Sequence, residues 1–473
     1  MEIKKATWND WASKITQILT NAQEYKDMYV IEQVKSFPKD DFWSIIWSMN
    51  YKNFFFFTRS QYYEMHDMVE IYFRSNEMHL RLDLDTLTNK FIELLSLEFK
   101  KKPNKTWVTD NVKNILHAVW LEAKAQLKMT RHYIHCLLPG DTKIDEFSFG
   151  PVRFISRDKF WHEISHDIEM YESRLNGKKS FTDEAKSDYE NYYWVACIDI
   201  ADCEHKKSYF IAERCIKYSV LFISLFLHDQ FIDITDSVTN DIIEQTSISI
   251  ADDNLDISYY KKFKNRPSGE WVHNILHDDL NEFVAKFSQF IFCLSNNRKI
   301  SILGKKLCES FDWYAEGIRE KDKSSAIIKF SIALEILSQY EDKHIREAKL
   351  KCEKCGFKNK IKINDAISQK FYDRVQYFYS GKIDETCDTR KLITKFYNLR
   401  SKIVHGSMYK DDKEIVDFYR QAVQIVKLCL AHFLIWAGNS NLEADIKNSE
   451  VELFFDKLLL AEGNIESLPQ KDN

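Results

Sequence analysis

In KLITKFYNLRSKIVHG, Lys391 to Gly406, the apolar residues Leu392, Ile393, Phe396, Leu399 and Ile403 recur at helical spacing. That period commits the stretch to a helix with one face in a core. Gly406 follows the last periodic residue, where a helix readily stops in the left-handed conformation. The same period runs through Ala326, Ile327, Phe330, Leu334 and Leu337, and a third helix is expected over Ile415 to Trp436, ending at Gly438. From about residue 301 onward the chain therefore reads as all-helical, its helices packed antiparallel into a small bundle. Only eleven Gly and six Pro occur in 473 residues, which favours long helices and few tight turns throughout.

Ahead of the bundle the pattern is mixed. Residues 1–130 are mostly helical in pattern, but the run Phe54 to Phe57 predicts a buried strand and MHLRLDL, Met78 to Leu84, alternates as a strand does. From 131 to 300 the composition changes. Leu138-Pro139-Gly140-Asp141 signals a turn, and FSFGPVRFI (Phe147 to Ile155) predicts two short strands hinged at Gly150-Pro151. YYWVACIDI (Tyr192 to Ile200) predicts another strand, and YFIAERCIKYSVLFISLFL after it predicts a long buried helix. Within that helix the most apolar run, Tyr218 to Leu227, is too short to span a bilayer. The fold class expected is mainly α: a larger α+β N-terminal region followed by a helical bundle over 301–473. An insertion carrying a CxxC lies at about 342–390.

A hydrophobic content of 44% supplies real cores, and the formal charge of −5 excludes a generally basic nucleic-acid coat, so any RNA contact must come from a local patch. KKKPNK, Lys100 to Lys105, is either a phosphate contact or a solvated loop. The ten cysteines form no framework of short spacings, and the opening MEIKKATWNDW is polar rather than signal-like. Reduced thiols, a cytoplasmic location and no membrane association are expected. Neither GxGxxG nor GxxxxGK[ST] occurs, which argues against ATP-dependent chemistry, and the hydrolase elbow GxSxG is missing as well.

Arg400 and His405 stand near the end of the Lys391–Gly406 helix. An arginine's planar fork suits a phosphate and histidine suits proton transfer near neutral pH. An Arg, four spacers and a His near a helix end resemble the signature of the HEPN superfamily of helical ribonucleases. More narrowly, YNLRSKIVHG after a helix reading IIKFSIALEILSQY is similar to the ApeA-type HEPN domains of bacterial anti-phage defence proteins. The resemblance covers the last third of the chain well and the front two thirds loosely. It implies metal-independent endoribonuclease action in abortive infection, on tRNA or other host or phage RNA. On that resemblance Arg400 and His405 are catalytic, with Glu335, Ser401 and Lys402 as auxiliaries. It also implies a homodimer or higher homo-oligomer, in which two motifs meet across one cleft, a phage-derived trigger, and a sensing or recruiting role for the front region. Glu335 lies off the main apolar stripe, where it either orients Arg400 or pairs with a lysine. Ser401 occupies the place where many active motifs of the superfamily carry a polar amide. This keeps a non-catalytic module, binding a nucleotide or a partner protein, as the alternative.

Two patterns suggest metal. Cys352-Glu353-Lys354-Cys355-Gly356 has the form of a zinc knuckle, and with no second CxxC the nearest completing ligands are Cys387 and His344, for a structural zinc. His162-Glu163-Ile164-Ser165-His166 matches the helical HExxH of zinc metalloproteases. The extended form with a third His is missing, so Glu184 or Glu190 would have to serve as the acidic ligand. His132, His135 and Cys136 form a looser cluster read as core or surface without chemistry.

Overall fold

A computed structural model describes residues 3–21, 23–25, 42–47, 54–75, 80–101, 107–125, 127–136, 138–141, 143–174, 183, 186, 189, 192–227, 243–251, 254–262, 270–276, 280–296, 300–339, 345–351, 358–364, 367–381, 383, 388–407, 412–439 and 446–460. The described residues are mostly helical. The elements begin with α1 (Lys5–Asn21), β1 (Gln23–Tyr25), β2 (Phe42–Trp47), β3 (Phe54–Thr58), α2 (Arg59–Ser75), α3 (Leu84–Lys101) and α4 (Thr109–Ala125). There follow β4 (Lys128–Cys136), β5 (Glu146–Phe149), β6 (Val152–Ser156), α5 (Arg157–Glu163), α6 (Ser165–Arg174), β7 (Trp194–Cys203), α7 (His205–Phe226), β8 (Ile243–Ala251) and β9 (Asn254–Lys262). The last group is α8 (Trp271–Ile275), α9 (Asn281–Ser295), α10 (Ile302–Arg319), α11 (Lys323–Ser338), β10 (Ile345–Lys351), β11 (Lys358–Asn364), α12 (Ile367–Ser380), α13 (Asp388–Val404), α14 (Lys413–Asn439) and α15 (Asn448–Leu460).

These elements form two compact units, Met1–Arg131 with Asp199–Ile211, and His132–Ile198 with Ala212–Asn473. In the first, α1 to α4 bury one core around Trp11, Ile15, Val69, Phe73, Phe91 and Leu116. The Phe54–Phe57 run is the middle strand of the small sheet β1-β3-β2. Met78 to Leu84 departs from the strand expectation. Met78 and His79 lie outside the described residues, Leu80 to Asp83 make a turn, and Leu84 opens α3. The Asp83 carboxylate accepts the Thr86 amide at 3.1 Å and the Thr86 hydroxyl at 2.9 Å, so a helix cap overrides a short alternation.

In the second unit, β5 and β6 form the expected hairpin, in the sheet ordered β4-β7-β6-β5. Gly150 turns it with φ +54°, and a Cβ there would stand 2.7 Å from the Ser288 carbonyl oxygen, so both the conformation and the space require glycine. Phe147, Phe149, Phe154 and Trp194 stack on the inner face against Trp271, Phe222 and Phe287. The predicted turn at 138–141 lies under this layer. The Pro139 carbonyl accepts both indole N–H groups, from Trp194 and Trp271.

The helices centre on α14, which packs against α9, α10, α11 and α12. By length and apolar composition α14 would also qualify to cross a membrane, but Phe418, Val426, Leu430, Phe433 and Leu434 are buried inside the unit. One departure from an all-helical C-terminal region is the antiparallel hairpin β10–β11, registered from Ile345 opposite Asn364 to Lys351 opposite Lys358. KNKIKIN alternates lysine with isoleucine or asparagine, a period of two that suits a strand.

A buried ionic network ties α15 to the bundle. Glu452 accepts Arg374 through two parallel hydrogen bonds of 2.9 and 2.8 Å, and Lys370 at 3.3 Å. Arg374 also donates to the Ser338 carbonyl, and Lys306 donates to those of Ile336 and Gln339, so two cations satisfy the end of α11. Burial holds the Lys306 ammonium below its ordinary pKa.

Candidate active site

The motif helix forms where the period places it. Ile393, Phe396 and Leu399 of α13 are fully buried, while Leu392 and Ile403 at the margins of the stripe are half-buried. Tyr397 packs its ring against Phe371 and Tyr372 of α12, and Phe396 meets Phe418 of α14. The helix ends in a Schellman turn. His405 N–H donates to the Ser401 carbonyl (3.0 Å), Gly406 N–H to that of Ile403 (3.1 Å) and Ser407 N–H to that of Lys402 (2.8 Å). Gly406 takes φ +69°, the left-handed conformation expected of it. His405 is thus the last residue before the reversal, and it is exposed.

Arg400 turns the other way. Its Nη2 lies 3.4 Å from the Glu335 carboxylate of α11, and its guanidinium sits 5.9 Å from the Tyr397 ring centre. The Ser331 hydroxyl donates to the same Glu335 oxygen at 3.1 Å. The Arg400 side chain remains 26% exposed, and its Nε is buried with no hydrogen-bond partner among the described residues. Arg374 in the same unit shows what a saturated structural arginine looks like: two short parallel bonds to Glu452 and 3% exposure. Beside it the Arg400–Glu335 contact is long, and among the described residues it is the one ion pair that Arg400 makes, so the part of the guanidinium that reaches solvent can still meet another oxyanion.

Of the remaining expected site residues, Ser401 is half-buried and Lys402 is exposed on the outer side of α13, where Lys402 Nζ lies 3.5 Å from Glu414. Within one chain Glu335 and Arg400 are therefore in contact, while His405 sits on an ideal helix about 140° away from Arg400. Sequence reasoning missed the polar residues Lys391, Thr394, Lys395 and Asn398 on that outer side. Their signal was the i, i+4 spacing of Lys391 with Lys395 and Thr394 with Asn398.

The four expected zinc ligands, His344, Cys352, Cys355 and Cys387, lie outside the described residues. In HExxH, α5 stops at Glu163, Ile164 turns, and α6 begins at Ser165, so His162 and His166 stand on separate helical segments. The Glu163 carboxylate is held by Arg153 of β6 through bonds of 2.6 and 3.2 Å, and the Arg153 guanidinium also reaches Glu146 of β5. Glu184 and Glu190 lie outside the described residues. Among the described residues, the metal-type ligands brought within 4.8 Å of one another are His66, Asp67 and Glu70 in α2, where Glu70 pairs with Arg74. In the third cluster His132 and Cys136 are buried, the Cys136 thiol is pushed up to about 12 by burial, and His135 packs on Tyr189 and Tyr192. Lys100 and Lys101 end α3, and the rest of the lysine-rich turn lies outside the described residues.

Comparison of the chain with protein-family models, with curated proteins and with solved structures finds no match.

Proposed function

We propose that this protein is a metal-independent endoribonuclease of the HEPN type acting in anti-phage defence. By this reading it works in the cytoplasm as a homo-oligomer, cuts tRNA or other host or phage RNA, and answers a phage-derived trigger. The observation that carries the reading is the end of α13: an exposed histidine on a glycine-terminated helix, five residues after an arginine whose fork is only partly used by Glu335. In the proposed chemistry the 2′-hydroxyl gives its proton to an imidazole and its oxygen attacks the neighbouring phosphorus. The P–O5′ bond breaks, the 5′-oxygen takes up a proton, and the products are a cyclic 2′,3′-phosphate and a 5′-hydroxyl. His405 moves protons and Arg400 stabilises the pentavalent phosphate. Because the two residues point apart on one helix, a second copy of the motif supplies the convergent partner. A structural zinc on Cys352, Cys355, Cys387 and His344 belongs to the same proposal and is read by metal analysis of the purified chain.

The test is purified protein on total RNA in EDTA, wild type beside Arg400→Ala and His405→Ala. Discrete cleavage by the wild type alone is expected, with His405→Ala slower by about 10²–10⁴-fold, the range for losing a general acid–base. Equal cleavage by all three would sink the assignment. The Arg400–Glu335 pair gives the second reading its support, a non-catalytic module in which Arg400 mainly ties α13 to α11. On that reading no preparation cuts RNA.

A further inference from the structure

The outer side of α13 lines an open groove of about 680 Å³. Along it run Lys391, Thr394, Lys395, Asn398, Ser401 and Lys402. On an ideal helix Thr394, Asn398, Ser401 and His405 fall within an arc of about 60°, so the polar stripe of the groove leads to His405. The three lysines lie beside this stripe and span about 17 Å along the axis, from the 1.5 Å rise per residue.

We infer that this groove binds the phosphodiester backbone of single-stranded RNA and feeds the strand toward His405. The feeding step rests on the nuclease reading, but the binding does not. Charge is the first argument. The chain carries a net −5, yet this groove gathers three lysines against one lining carboxylate, Glu414, besides Arg390, which Asp373 holds at 2.7 Å. The ammonium groups are also available. Among the described residues Lys391 pairs only with the exposed Asp388 at 3.0 Å, and Lys402 only with Glu414 at 3.5 Å. Lys395 lies 5.1 Å from the Phe418 ring centre and has no carboxylate partner among the described residues. Exposed pairs of this kind exchange for a phosphate at little cost. The lining also determines what is read. Among the described residues no aromatic side chain lines the groove, so there is no platform for stacking bases. Hydroxyls, an amide and ammonium groups contact phosphate and sugar, giving binding that tolerates any sequence. A single strand suits the adjoining histidine because its linkages are free to turn in line for 2′-hydroxyl attack.

The test uses a fluorescent 2′-O-methyl oligoribonucleotide, which cannot be cut by its own 2′-oxygen, titrated with the full chain at several salt concentrations. Three phosphate contacts predict a slope of log affinity against log salt of about −2, at about 0.7 per contact. The triple change Lys391→Gln, Lys395→Gln, Lys402→Gln flattens that slope toward zero and weakens binding about tenfold. The corresponding triple change to arginine keeps the wild-type slope, which separates charge from any local misfolding. Glu414→Gln removes the carboxylate that lines the groove and tightens binding about twofold to fivefold, the range for a single exposed pair. A wild type that does not bind, a glutamine triple with the wild-type slope, or an arginine triple as weak as the glutamine one overturns the inference. Because the strand is uncleavable, this result stands whether or not Arg400 and His405 prove catalytic, and a groove that fails leaves the cleavage assay undecided by it.

Discussion

Gly406 offers a test of the site through the backbone alone. It holds φ +69°, and a Cβ built on it would meet nothing within 4 Å. Gly406→Ala therefore clashes with no neighbour, and its effect is the conformational one. Placing an L-residue in the left-handed region costs about 1–2 kcal/mol. Alanine also narrows the unfolded ensemble, which offsets about 0.4–1 kcal/mol of that. The difference is a net loss of about 1 kcal/mol, or a fall of about 2 °C in the melting of the C-terminal helices at the slope for larger domains. Gly406→Asn should lose less, because asparagine enters the left-handed region more readily than alanine. Helix signal followed through a urea titration measures both. An alanine variant as stable as wild type would refute the reasoning, since it would mean that the chain leaves α13 without needing positive φ. On the nuclease reading the same two variants rank in activity as they rank in stability. The bonds from His405, Gly406 and Ser407 to the last carbonyls of α13 are what hold the imidazole at the helix end.

Two further outcomes follow from charges away from the site. Glu452→Gln leaves Arg374 and Lys370 buried beside a neutral amide, and breaking one partner of a buried pair removes about 3–5 kcal/mol, measured as a lowered urea midpoint; a change under about 1 kcal/mol would show the network to be dispensable. The Glu146 carboxyl is held below its ordinary 4.5, first by the Lys159 hydrogen bond and then by the Arg153 charge, with burial opposing both. A carboxyl lowered in the folded state contributes stability that is complete above its unfolded value and is lost as pH falls through the folded one. Melting temperature should therefore drop below pH 4.5, and Lys159→Gln should shrink that drop; an unchanged acid profile in the variant would remove Glu146 from the account.

What could be read from the chain and what could not divide along a physical line. Helices whose apolar residues recur over several turns, such as α7, α13 and α14, were legible, because burial on one side of a 3.6-residue period leaves little choice. So was the stop at Gly406, a local requirement on one φ angle. Met78 to Leu84 misled because seven alternating residues are too few to outweigh an Asp83–Thr86 cap. The β10–β11 hairpin was hidden by the helices on either side of it, although KNKIKIN carries the period of a strand. Nothing local encodes the pairing of Arg374 with Glu452, which lie 78 residues apart. Lys391, Lys395 and Lys402 were visible at helical spacing, but their meaning depended on α14 bringing Glu414 beside them to form one wall of a groove.

Comparison with Arg374 helps to weigh Arg400. A structural arginine needs its donors satisfied wherever water cannot reach them, and Arg374 meets that demand with Glu452 and the Ser338 carbonyl. Arg400 does not: among the described residues it has one ion-pair contact, of 3.4 Å, and a buried Nε without a partner, and a quarter of its side chain is in solvent. If tying α13 to α11 were its whole role, a leucine completing the apolar stripe would pack there without leaving a donor unpaired. The quarter of the side chain that reaches solvent is where an oxyanion arriving from outside would meet the guanidinium. A phosphate ligand at Arg400 fits both readings of the motif. It leaves proton transfer to rest on His405 alone, which is why the cleavage assay needs the histidine variant beside the arginine one.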